Sequence, residues 1–173
     1  MSAVLAGSLL LTPSHAHADD IDRCVSAAET SLTLRKQQLL LEARDKLVEC
    51  AAPKCPTEVR AECERRLADL GAALPSIVLA ARDEKGVDLT DVRVTLDGKP
   101  LTERLDGTTI ALNPGAHTLR LEAAGRTPVT HALVVREGEK RRAVGVVLES
   151  LRTTTPAAEG DRKSTRLNSS HRH

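Results

Sequence analysis

The hydrophobic period of this chain changes once, at Pro75, and that change constrains the fold more than any other feature of the sequence. Before it, apolar residues recur every three or four positions, most regularly at Val59, Cys63, Leu67, Leu70 and Leu74, which is the spacing of one helix face. After it, they alternate or fall in short runs bounded by Gly, Pro and Asp, as strands and turns do. Helices followed by strands, rather than interleaved with them, predict an α+β chain. A helical hairpin or three-helix unit is expected over 19–74, followed by a small antiparallel, immunoglobulin-like β-sandwich over 75–150.

In the helical part, Asp19 and Asp20 can cap a first helix carrying Ile21, Cys24, Val25, Ala28 and Leu32. A second carries Leu40, Ala43, Leu47 and Cys50, and a third opens at Pro56 with Glu58 in its first turn. The polar stretch Arg35-Lys36-Gln37-Gln38 has neither Gly nor Pro. It is read as a tight turn, the alternative being the solvated middle of one long helix.

All four cysteines, Cys24, Cys50, Cys55 and Cys63, fall in this segment, and behind an export signal an even number of thiols predicts two disulfides. Tight connections make the helices antiparallel and gather the four residues at one end. Pairing Cys55 with Cys63 is the poorest choice, because eight residues of helix rise about 12 Å and bridged Cα atoms lie within about 7 Å. Cys24 with Cys63 and Cys50 with Cys55 is the preferred pairing, and Cys24 with Cys55 and Cys50 with Cys63 stays open. The spacing contains no Cys-x-x-Cys, so neither a metal nor a redox pair is expected, and no cofactor is.

The β part begins with a strand at Ile77–Ala80 and the turn Asp83-Glu84-Lys85-Gly86. Val92, Val94 and Leu96 alternate up to Asp97-Gly98, a dipeptide suited to a two-residue hairpin. Leu105-Asp106-Gly107 precedes a run over 109–112, and the turn Asn113, Pro114, Gly115, Ala116 leads into a strand at 118–121. Runs over 129–135 and 143–148 flank Glu137-Gly138-Glu139, giving six or seven strands in all.

Both ends of the chain are set apart from the fold. Ser2 to Leu11 is an uncharged apolar run ending near Ala16-His17-Ala18, so residues 1–18 read as a signal peptide cut after Ala18. No Lys or Arg precedes Arg23, so the usual basic start is missing, and a buried or frayed N-terminal helix is the alternative. Residues 151–160 read as a linker. Residues 161–173 carry DRKSTRLNSSH, which resembles a translated sequencing adapter and is expected to be non-native and disordered.

Composition excludes several kinds of partner. The apolar fraction of 40% and the charged fraction of 28% are ordinary, but Phe, Tyr and Trp are all absent. Stacking platforms for single-stranded nucleic acid or sugars are therefore missing. The 25 basic and 24 acidic residues nearly balance, and without the tail 21 face 23, so no nucleic acid partner is expected. No Gly-x-Ser-x-Gly elbow, phosphate loop or His-Glu-x-x-His helix occurs, and His117 and His131 read as structural. Lys140-Arg141-Arg142 reads as the charged start of a strand, with an anionic envelope polymer or lipid headgroup as the alternative contact.

Two resemblances extend this reading. Ala43, Leu47 and Cys50 followed by Cys55-Pro56 resembles the second half of a tetratricopeptide unit. A single unit cannot stack, so any peptide groove it implies is rudimentary. The stretch Leu112-Asn113-Pro114-Gly115-Ala116-His117-Thr118-Leu119, with Gly125 and Pro128, is similar to the PEGA family of extracytoplasmic β-modules. The whole layout resembles exported proteins of myxobacterial type. That resemblance implies a small sandwich used in the envelope, with no catalytic residues to carry over, and an aromatic where Arg126 stands here. It also implies membrane anchoring through a C-terminal segment missing from this sequence.

The expected function is a non-catalytic, exported interaction or scaffold protein of the periplasm or cell envelope, with an envelope protein or cell-wall polymer as partner. A secreted hydrolase or metal-dependent enzyme, and a periplasmic inhibitor or regulator, are the alternatives.

Overall fold

The computed structural model describes residues 15–151, and the expectations placed on 1–14 and 152–173 lie outside them. Three helices, α1 (His15–Lys36), α2 (Leu40–Cys50) and α3 (Thr57–Ala73), precede the strands. The expected cut after Ala18 falls in the first turn of α1. The turn expected near Gln38 is present: Gln38 takes φ 63° and the Leu39 N–H donates to the Leu34 carbonyl at 3.0 Å, closing α1. Gln occupies a position usually held by Gly or Asn, so the sequence carried no marker there.

Helix α2 lies between the other two, and α1 and α3 each pack against it far more than against each other. The shared seam buries Ala27, Leu40, Ala43, Leu47, Cys50, Cys63 and Leu70. The stripe expected on α1 is only half right. Cys24, Ala27 and Ser31 are buried, whereas Ile21, Val25 and Leu32 are 38%, 39% and 44% exposed. The small Ala27 and Ser31 face the seam, with Ala43 opposite, and Ile21, Val25 and Leu32 are left outward while Leu34 packs partly buried against it.

The cysteine pairing preferred from spacing is also corrected. Cys24 bonds Cys55 with Cα atoms 5.7 Å apart, and Cys50 bonds Cys63 at 6.0 Å. Because α3 packs on α2, Cys63, one and a half turns inside α3, meets Cys50 at the end of α2. The preceding loop is then left to carry Cys55 across to α1.

The strands are β1 (Ser76–Arg82), β2 (Asp88–Leu89), β3 (Arg93–Leu96), β4 (Lys99–Thr102), β5 (Thr109–Ala111), β6 (Gly115–Glu122), β7 (Val129–Val135) and β8 (Arg142–Val147). One sheet runs β4-β3-β6-β7, all antiparallel. In the other, β1 pairs antiparallel with β2 and β5, and β8 runs parallel to β1 from Ile77↔Arg142 to Arg82↔Val147. This single parallel pair departs from the antiparallel expectation, and it joins the first and last strands of the module with the second sheet as their crossover. The aliphatic core between the sheets includes Ile77, Leu79, Val94, Leu112, Leu119, Leu121, Leu133 and Val144. Asp97 and Gly98 take φ 50° and 79°, as the expected two-residue hairpin requires.

Candidate functional site

Two features stand out once the side chains are placed: the junction of the helical unit with the sandwich, and an open groove on the helical unit. The junction is built by the turn motif. β5 belongs to one sheet and β6 to the other, so Asn113 and Pro114 carry the chain between sheets, and Gly115 opens β6 at φ 131°, which favours glycine. Ala116 pairs with Val134 in the ladder and is exposed.

Helix α2 has no capping oxygen of its own, because its N-cap residue is Leu39. Asn113 supplies one: its Oδ1 accepts the Leu41 N–H at 2.8 Å, and its Nδ2 donates to the Glu42 carboxylate at 2.8 Å. The carboxyl end of α3 is held in the same manner. The Gly138 N–H donates to the Ala73 carbonyl at 2.6 Å, and Lys140 donates to the carbonyls of Gly71 and Leu74. Arg35 at the end of α1 meets Glu137 at 2.6 Å. Loops of the sandwich thus cap two helices and pair with the third.

His117, on β6 just after this turn, is fixed at both ring nitrogens. Nδ1 lies 2.7 Å from Asp97 Oδ2 and Nε2 lies 2.8 Å from the Asn113 carbonyl oxygen. Whichever ring nitrogen carries the proton donates to the acceptor it faces. Asp97 also accepts the Thr118 N–H at 2.8 Å. The His117 ring, then this amide, hold the Asp97 carboxyl below the usual aspartate range. His131 lies half-buried in β7.

The groove follows from the helix packing: since α1 and α3 both lean on α2 and barely touch each other, a furrow opens between them. Its lower part is a cavity of about 280 Å³ lined by Leu32, Arg35, Lys36, Leu47, Asp69 and Leu70 among others. Its upper part, about 350 Å³, is lined by Val25, Ala28, Glu29, Leu32, Glu58, Val59 and Glu62. Leu32 and Arg66 border both, and between them Arg66, paired with Glu62, crosses from α3 to donate to the Ala28 carbonyl of α1 at 3.4 Å. The sequence pointed to the helices and to apolar residues on them, Val25, Leu32, Leu47, Val59 and Leu70 included, but not to the furrow they border. The signal was Val25 and Leu32, two aliphatics on α1 that the seam with α2 leaves exposed.

The remaining singled-out residues have internal partners. Arg126, where the resemblance implies an aromatic, bonds Glu84 at 2.7 Å and Asp83 at 3.3 Å and donates to Ser150 Oγ at 3.1 Å. The Val87 amide above all, with those of Lys85 and the Arg126 charge, lowers the Asp83 carboxyl. Arg141 donates to Thr109 Oγ1 at 3.2 Å, and Arg142 to the Val134 carbonyl at 2.5 Å. Lys140, Arg141 and Arg142 therefore each give at least one donor to the fold. Among the described residues no group of three His, Cys, Asp or Glu is placed to hold a metal ion, and no helix is long and apolar enough to cross a membrane.

No protein-family profile matches the chain, and neither does any curated protein. Among solved structures it is similar to a Bacteroides fragilis protein of unknown function, described only provisionally as membrane-associated. The identity is 26%, over 46% of this chain and 29% of that one, with a TM-score of 0.33. It is also similar to the phospholipase PlaB from Legionella pneumophila, at 10% identity over 64% of this chain and 37% of that one, TM-score 0.35. The chain spans about a third of the length of these proteins, and at such TM-scores neither likeness bears on what it does.

Proposed function

We propose that this chain is an exported, non-catalytic interaction module of the cell envelope, in which a disulfide-stapled helical unit is held by a small sandwich and presents a binding surface. The observation that carries the reading is the pair of disulfides that takes up all four cysteines. Such bonds persist in oxidising compartments and are rare in the cytosol. The apolar run of residues 2–11 and the likeness of the Asn113–Ala116 turn to PEGA modules support the same reading. So does the sequence's lack of any nucleophile or metal motif. Partners are then envelope proteins or cell-wall polymers, held by non-covalent contact.

Expression with the native leader, followed by fractionation and N-terminal sequencing, tests the proposal. The expected result is a periplasmic or envelope-bound product beginning at Asp19 with no free thiol. A cytosolic product retaining residues 1–18 and four reducible thiols would overturn it.

A further inference from the structure

The furrow between α1 and α3, crossed midway by Arg66 in its pair with Glu62, is apolar on either side of that crossing and polar in a definite direction. Val25 and Leu32 stand exposed on α1 along it, with Val59 and Leu70 opposite, and from Val25 to Lys36 the α1 wall runs about 16 Å. That is the length of about three helical turns. At the Val25 end stand Glu29 and Glu58, neither of which is ion-paired among the described residues. At the other end stand Lys36, also unpaired there, and Arg35, which spends one nitrogen on Glu137 while its buried Nη1 has no hydrogen-bond partner. Asp69 stands on the same rim and offsets part of that charge.

A helix carries unsatisfied N–H groups and partial positive charge at its start, and unsatisfied carbonyls and partial negative charge at its end. Those two ends match the two ends of the furrow. Resting on the interaction-module reading, we propose that the furrow receives one short amphipathic helix of a partner protein, running parallel to α1 and α3. Its first turn carries a basic residue against Glu29 and Glu58, its last-turn carbonyls or carboxylate face Arg35 and Lys36, and its apolar residues at i, i+3 or i+4 and i+7 cover Val25 and Leu32.

Because the protein has no tryptophan or tyrosine, a peptide carrying one tryptophan reports binding without background. The probe is a fourteen-residue amphipathic peptide with lysines in its first turn, leucines at the spacing above, and glutamates with a free carboxylate in its last turn. A second peptide has the two charge clusters exchanged. Fluorescence anisotropy with the mature, disulfide-bonded protein is expected to give binding at least tenfold tighter for the first peptide. Leu32→Lys, at an exposed position that leaves the seam intact, should abolish binding, and Glu29→Lys with Glu58→Lys should invert the preference. Val147→Lys, on the exposed face of β8, should change nothing.

Equal binding of both peptides, binding indifferent to Leu32→Lys, or no binding of either would overturn the proposal. So would a concentration-dependent dimer, seen by sedimentation and lost in Leu32→Lys, since a second copy would then occupy the furrow. A protein that is exported and stapled yet ignores both peptides fails this inference while leaving the interaction-module reading standing, whereas a cytosolic, reduced product fails the latter alone.

Discussion

Asn113 Oδ1 accepts the backbone N–H of Leu41 at 2.8 Å, so a residue in a β-turn caps a helix 72 positions earlier in the chain. The motif that marks the sandwich in the sequence is therefore also what fixes the helical unit to it. Removing an N-cap oxygen costs about 1 kcal/mol. Asn113→Ala is expected to lower the unfolding free energy by about that amount in denaturant titrations and to expose the Leu41 amide to exchange. Asn113→Asp keeps an acceptor but sets a second carboxylate against Glu42, and is expected to fall between. An unchanged Leu41 exchange rate in Asn113→Ala would show that the contact does not hold the helix.

The junction also shows where sequence reasoning stops. The order of helices and strands, the Asp97-Gly98 hairpin and the core positions Ile77, Val94, Leu119 and Leu121 were legible, because each rests on a local period or on one backbone preference. β2 and β4 were not: one has two residues, and the other, Lys99-Pro100-Leu101-Thr102, carries a proline that only an edge strand accommodates. The capping role of Asn113, the parallel β1–β8 pair and the furrow depend on contacts between segments far apart in sequence. The cysteine pairing failed for the same reason, since it turned on whether α3 lies against α1 or α2.

That pairing has a direct chemical check. Trypsin cuts between all four cysteines, after Arg23, Lys46, Lys54 and Arg60. A non-reducing digest is expected to contain peptide 24–35 joined to 55–60, and 47–54 joined to 61–65. Linked 24–35 and 61–65 would restore the arrangement first preferred from spacing. In the chain-entropy view the bridges, spanning 31 and 13 residues, contribute about 4 and about 3 kcal/mol. Cys24→Ser with Cys55→Ser should therefore lower the unfolding free energy more than Cys50→Ser with Cys63→Ser.

Arg126 ties the β1–β2 turn to the chain leaving β8, through Asp83, Glu84, Ser150 and the Leu148 carbonyl. A guanidinium reaches these acceptors from several fixed directions, which an ammonium on a flexible stem cannot do. Arg126→Lys is expected to lower Tm, and Arg126→Ala to lower it further. Both should raise exchange at the Thr127 amide, which donates to the Glu149 carbonyl at 2.8 Å beside this cluster. A lysine variant with unchanged Tm and unchanged Thr127 protection would show the contacts to be incidental.

Asp97 predicts how the fold responds to acid. His117 first, and the Thr118 amide second, hold its carboxyl below the usual aspartate range, and Asp83, Glu84 and Asp106 are lowered likewise. A carboxyl whose value is lower in the folded state than in the unfolded chain binds fewer protons when folded. Its contribution is therefore complete above the ordinary carboxylate range, about pH 4, and fades as pH falls through the lowered value. Tm should accordingly vary little with these groups near neutrality and fall below about pH 4. Asp97→Asn removes one of the titrating groups and sets an amide in place of the carboxylate beside the His117 ring and the Thr118 amide. It should start from a lower Tm at neutral pH and decline less steeply on acidification, and parallel curves for the two proteins would show that this carboxyl does not couple folding to pH.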